Sequence, residues 1–95
     1  MAMVKHGDDM RQRADWMAPA DDDILELIRE HGNLTPAAIE KFGGPSGDHA
    51  GHRARKLAEA GLLDQLTRGL YAITDEGDAY LEEEFDAAEL PAPNE

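Results

Sequence analysis

Cysteine is absent from these 95 residues, lysine appears three times, aromatic side chains five times, and no long apolar run occurs. Two of these shortages exclude a class of protein. Without cysteine there is neither a disulfide framework nor a thiolate metal site. A membrane-crossing helix needs roughly 18 or more apolar residues in succession, and nothing here approaches that. The opening stretch MAMVKHGDDMRQR has no apolar segment of signal-peptide length, so a cytoplasmic protein is expected. At roughly 100 to 200 residues per domain, the chain has room for one folded unit. Fifteen of its hydrophobic residues are Ala, which implies a small, closely packed core.

Acid is what the chain has in excess. Eleven Asp and ten Glu face six Arg and three Lys, a formal net charge of -12. At about 1 M salt the Debye length is roughly 3 Å, and the self-repulsion of such a surface is largely screened. This carboxylate-rich, lysine-poor composition resembles that of halophilic archaeal proteins. The charge is unevenly placed. Residues 75–95 carry -9, whereas residues 41–58 carry Lys41, Arg53, Arg55 and Lys56 against Asp48 alone, or +3. The remainder therefore holds -15 (-12 less +3). One segment has been kept nearly free of acid.

Local signals set the order of elements. Residues 1–18 read as a polar arm or short helix, with Trp16 and Met17 tucked against the rest. Pro19, followed by Asp21, Asp22 and Asp23, opens a helix whose buried stripe is predicted as Ile24, Leu27, Ile28 and His31, flanked by Leu25. Gly32 stops it. Leu34 is a minimal strand or a core plug. Thr35 caps a short second helix that begins at Pro36 and includes Ile39 and Phe42. Ser46 caps a third, running to about Ala60, with Ala50, Ala54 and Leu57 inward and Gly61 as its stop. Leu62 to Leu66 and Leu70 to Ile73, joined by Thr67-Arg68-Gly69, signal a β-hairpin. Thr74 caps a last helix, DEGDAYLEEEFDAA, with Ala79, Tyr80 and Phe85 facing in. The domain proper is expected over 19–86, with 87–95 as tail.

Three motifs carry a resemblance. LTPAAIEKF, a polar-capped helix ending RKLAEAGLL, and ITDEGDAYL after the hairpin resemble a winged helix-turn-helix domain over residues 19–85. The family's Leu-x-x-x-Gly-Leu-Leu signature falls on Leu57, Gly61, Leu62 and Leu63. Thr74 and Gly77 match its usual entry into the final helix. The segment RADWM-x-PADD, Arg13 to Asp22, is similar to small haloarchaeal winged-helix proteins related to the repressor of the halophage phi-H. The resemblance implies an α+β fold and a transcriptional regulator binding double-stranded DNA as a homodimer. The arm or the last helix would pair the subunits.

It also implies a site. A helix fits the major groove and its N-terminal half reaches base edges. On the third helix Ser46 would be the cap and His49 and His52 would face the bases. Asp48 would accept from a cytosine amino group. Arg53, at the boundary of that face, together with Arg55 and Lys56, suits phosphates, or guanine in the case of Arg. Arg68 at the hairpin tip would lie on the backbone or in the minor groove. Thr35 could offer its backbone N–H to a phosphate, or be a plain cap. The turn FGGPSGDHAGH is richer in Gly than in many relatives. Each helical Gly costs roughly 1 kcal/mol relative to Ala, so full order at the helix start is expected only on DNA. Asp48, His49 and His52 lack a third, distant ligand for a metal. No partnered nucleophile or phosphate-cradling loop suggests an enzyme, and no cofactor is expected. The alternative is a winged-helix protein-interaction module without DNA binding.

Overall fold

The computed structural model describes residues 14–83. Helix α1 (Pro19–His31) starts where Ala18 is extended and Pro19 supplies the pre-set first position. Ala18 has no side chain with which to cap. The carboxylate of Asp21 instead accepts the Ala18 backbone N–H at 3.0 Å. The buried face of α1 is Asp21, Asp22, Ile24, Leu25 and Ile28. That stripe is rotated from the predicted one. Leu25 is fully buried rather than flanking, and Leu27 only half-buried. His31, predicted inward, is exposed and stacks on the Phe42 ring at 4.0 Å. Phe42 itself is 47% exposed, so the two rings cover each other on the surface.

Leu34 then forms a one-residue bridge to Tyr71, each accepting the other's N–H at 3.0 Å. Helix α2 (Pro36–Lys41) is capped by Thr35, whose side chain accepts from the Ala38 N–H. Helix α3 (Gly47–Glu59) follows a short turn and packs on α1 and α2. Its inward residues Ala50, Ala54 and Leu57 are all at 0% exposure. Two of those three are Ala, which lets neighbouring backbones approach closely. Gly61, at φ 94°, provides the left-handed residue that turns the chain off α3.

Strands β1 (Leu63–Thr67) and β2 (Leu70–Ile73) pair antiparallel, from Leu63↔Ile73 to Thr67↔Leu70. Gly69 takes φ 74° in the connecting turn. Helix α4 (Asp75–Leu81) closes the domain against α1 and β2. Thr74 joins three pieces. Its hydroxyl accepts from the Gly77 N–H, donates to the Gly61 carbonyl at 2.7 Å, and its own N–H reaches the Leu62 carbonyl. Tyr80 is buried as predicted, and Ala79 is only half-buried. The described helix ends at Leu81 rather than continuing through the acidic run, and Phe85 lies outside the described residues.

The core gathers one face of every element. Ala14 and Met17 belong to it, so the end of the predicted arm is part of the packed domain. Three helices, a two-stranded hairpin and a closing helix make the α+β winged-helix arrangement.

Candidate nucleic-acid interface

Helix α3 has two faces with different fates. The inward one anchors the domain. The exposed one presents Asp48, His52, Arg55 and Glu59 at the i, i+4, i+7, i+11 spacing of a single stripe. His49 is exposed beside that stripe and Lys56 half-buried beside it. Asp48, His49, His52, Arg55 and Lys56 are thus brought together. Arg68 sits apart from them, exposed at the hairpin turn, on a ribbon whose first strand packs against α3.

Arg53 does not join that face. Its Nε and Nη2 donate to both carboxylate oxygens of Asp21, at 2.7 and 2.6 Å. Nη2 also donates to the Trp16 carbonyl, and the guanidinium lies 5.9 Å from the Trp16 ring. The Arg53 side chain is 13% exposed and Asp21 fully buried. The Asp21 hydrogen bonds, and to a smaller extent its charge, hold Arg53 even more firmly protonated than usual, against the opposing effect of burial. This two-pronged pair ties the middle of α3 to the first turn of α1 and to residue 16. With Asp21 counted against Arg53, the formal excess of residues 41–58 falls from +3 to +2.

The start of α3 is held from two sides. Ser46 Oγ accepts the His49 N–H at 3.4 Å, and Glu40 Oε1 accepts the Gly47 N–H at 2.7 Å. Glu40 therefore puts a carboxylate on the positive end of the helix dipole and fixes α2 relative to α3. The cationic side chains Arg55 and Lys56 lie further along the helix. The helix runs unbroken from Gly47 despite its glycines. At Gly51 an added Cβ would meet Pro36 Cγ at 3.5 Å, an ordinary contact. Gly51→Ala is therefore expected to stabilise the domain by about 0.5–1 kcal/mol, seen as a raised melting temperature.

Sequence reasoning missed two buried acids. Their place in the first turn suggests only helix-dipole residues, yet Asp21 holds Arg53 and Asp22 accepts the Tyr80 hydroxyl at 2.7 Å, joining α1 to α4. Asp23, the third, keeps a carboxyl pushed upward by desolvation first and by Glu26 and Asp22 next. Arg29 pairs with Glu82, and more loosely with Asp78 at 3.8 Å, on the exposed side of the same two helices. Among the described residues no group of three or more His, Asp or Glu is arranged to hold a metal, and no helix is long and apolar enough to cross a membrane.

Comparison with known proteins bears on the family and the fold. The sequence profile described as winged helix-turn-helix phage repressor matches residues 10–92. Among solved structures, the chain is similar to the PhiH1 repressor-like protein from Haloarcula marismortui, with 42% identity and a TM-score of 0.80. The match covers 86% of this chain and 96% of that one. Among curated proteins, none is significantly similar.

Proposed function

Because the chain belongs to the winged helix-turn-helix phage repressor family, we propose that it is a sequence-specific DNA-binding regulator, repressor-like, that reads the major groove with α3. The observation that carries this reading is the exposed face of α3. It offers two imidazoles, a guanidinium and the carboxylates of Asp48 and Glu59 on a helix whose opposite face is locked in the core. Histidine donates to guanine edges, and the Asp48 carboxylate accepts from cytosine. Arg55 and Lys56 serve the flanking phosphates, and Arg68 serves the backbone or minor groove from the hairpin. Arg53 is assigned to holding the helix rather than to DNA. A homodimer reading two half-sites belongs to the same proposal.

Fluorescence anisotropy against genomic and random DNA, at several KCl concentrations, tests it. Counterion release contributes little near molar salt, so discrimination there rests on direct contacts and DNA shape. Arg55→Ala is expected to weaken binding roughly five- to tenfold, the scale of one lost charged contact to DNA. Absence of DNA binding by the native protein at every salt concentration overturns the proposal in favour of a protein-interaction module.

A further inference from the structure

Leu66 is 49% exposed, one of two large hydrophobic side chains in that condition among the described residues. The other, Phe42, is stacked against His31. The position of Leu66 in the hairpin is irregular as well. Gln65 pairs with Tyr71 and the next pair is Thr67 with Leu70. Leu66 is therefore the extra residue of a bulge, without a cross-strand partner. Bulges break the alternation of faces and re-aim a side chain.

The surroundings of that side chain select its partner. From Gln65 to Ile73 there is no acid at all in a chain with 21 of them, and the one charge is that of Arg68. The tip thus offers an aliphatic side chain, a hydroxyl at Thr67, an amide at Gln65 and one exposed cation. A stable protein interface needs on the order of 800 Å² from each partner, far more than one leucine supplies. The minor groove of DNA needs much less. It accepts single apolar wedges between base steps, next to a cation that answers its negative potential.

We propose that the hairpin inserts Leu66 between two base pairs in the minor groove, with Arg68 on the adjoining groove wall, and bends the DNA. This rests on the DNA-binding reading above and adds a device to it. Wedges of this kind kink the duplex toward the major groove, where α3 would lie, so the bend wraps DNA around the protein. The step beneath the hairpin should then be a flexible pyrimidine–purine step, chosen by deformability rather than by hydrogen bonds. An apolar insertion also escapes the screening that weakens exposed charge contacts in concentrated salt.

The native protein, Leu66→Ala and Leu66→Met are compared by anisotropy and by end-to-end fluorescence transfer on doubly labelled DNA at molar KCl. The native protein and Leu66→Met should shorten the end-to-end distance. Leu66→Ala should leave the DNA straight and bind roughly tenfold more weakly, about 1.4 kcal/mol, with an unchanged melting temperature. A native complex with straight DNA, or equal bending and affinity in Leu66→Ala, overturns the wedge and leaves the regulator standing. A change of oligomeric state in Leu66→Ala also overturns it, making Leu66 a subunit contact. Failure of the native protein to bind any DNA removes the regulator and the wedge together.

Discussion

Arg53→Ala is expected to destabilise the domain by about 3–5 kcal/mol, the scale seen when one member of a buried ion pair is removed. For a domain of this size that lowers the melting temperature by at least about 12 °C. The reason lies with Asp21 more than with Arg53. Asp21 is fully buried and accepts from Arg53 Nε, Arg53 Nη2 and the Ala18 N–H. Truncating the guanidinium leaves a carboxylate in the core with one donor, and frees the Trp16 carbonyl that Arg53 also held. Arg53→Lys should recover little of the loss, since an ammonium cannot present two parallel donors to one carboxylate. Because the pair is largely shielded from solvent, molar KCl should reduce the difference only slightly. Unfolding of the native and variant proteins in denaturant, at low and at molar KCl, checks this. A loss under about 1 kcal/mol, typical of exposed pairs, would show the tie to be ornamental. The result also matters for DNA titrations, where an Arg53 variant would lose binding through the helix's support as readily as through a lost phosphate contact.

Gly77→Ala should be damaging against the trend of helix propensity. In an open helical position the change from Gly to Ala stabilises by roughly 1 kcal/mol. At Gly77 a Cβ would stand 2.3 Å from the Leu62 carbonyl oxygen and 2.7 Å from Ile73 Cγ1. The side chain of Ile73 can shift, but the Leu62 carbonyl is backbone and accepts the Thr74 N–H. Relieving the clash means pushing α4 away from the junction of α3 and the hairpin. Overpacking of this kind costs about 1–3 kcal/mol and sometimes more, and we expect the upper end. Thermal melts of Gly77→Ala and Gly51→Ala side by side give the comparison. Opposite signs are expected, and a Gly77→Ala protein as stable as the native one refutes the close approach.

Why α3, the hairpin and α4 could be read from sequence, and the Arg53 pair could not, is a matter of distance along the chain. Thr35, Ser46 and Thr74 each cap a helix by accepting an N–H three residues on, so each start is written within four consecutive residues. Gly61 followed by two leucines marks a helix stop and a strand start just as locally. Asp21 and Arg53 are 32 positions apart, and Asp22 and Tyr80 are 58 apart. Nothing in either local pattern announces a partner, and an acid in a first helical turn already has an ordinary explanation in the dipole. His31 departs from its stripe for a different reason. The i, i+7 step from Ile24 places it on the stripe by arithmetic, but α1 ends there, beside the end of α2 rather than over the core. On the candidate interface, the exposed stripe of α3 followed from periodicity. Which of its cations was already engaged did not, because helical spacing places Arg53 at an edge and only the packing of α1 decides which way it turns.

On the proposed reading of DNA by α3, the split between its two faces makes the domain a scaffold on which target preference can be rewritten. Positions 48, 49, 52 and 55 are exposed, so a combinatorial library there leaves untouched the inward Ala50, Ala54 and Leu57. A transplant of the whole helix between relatives is another matter. It would carry Arg53 into a host that has to supply the matching acid in the first turn of α1, and grafts should be chosen as residue pairs, with positions 21 and 53 moved together.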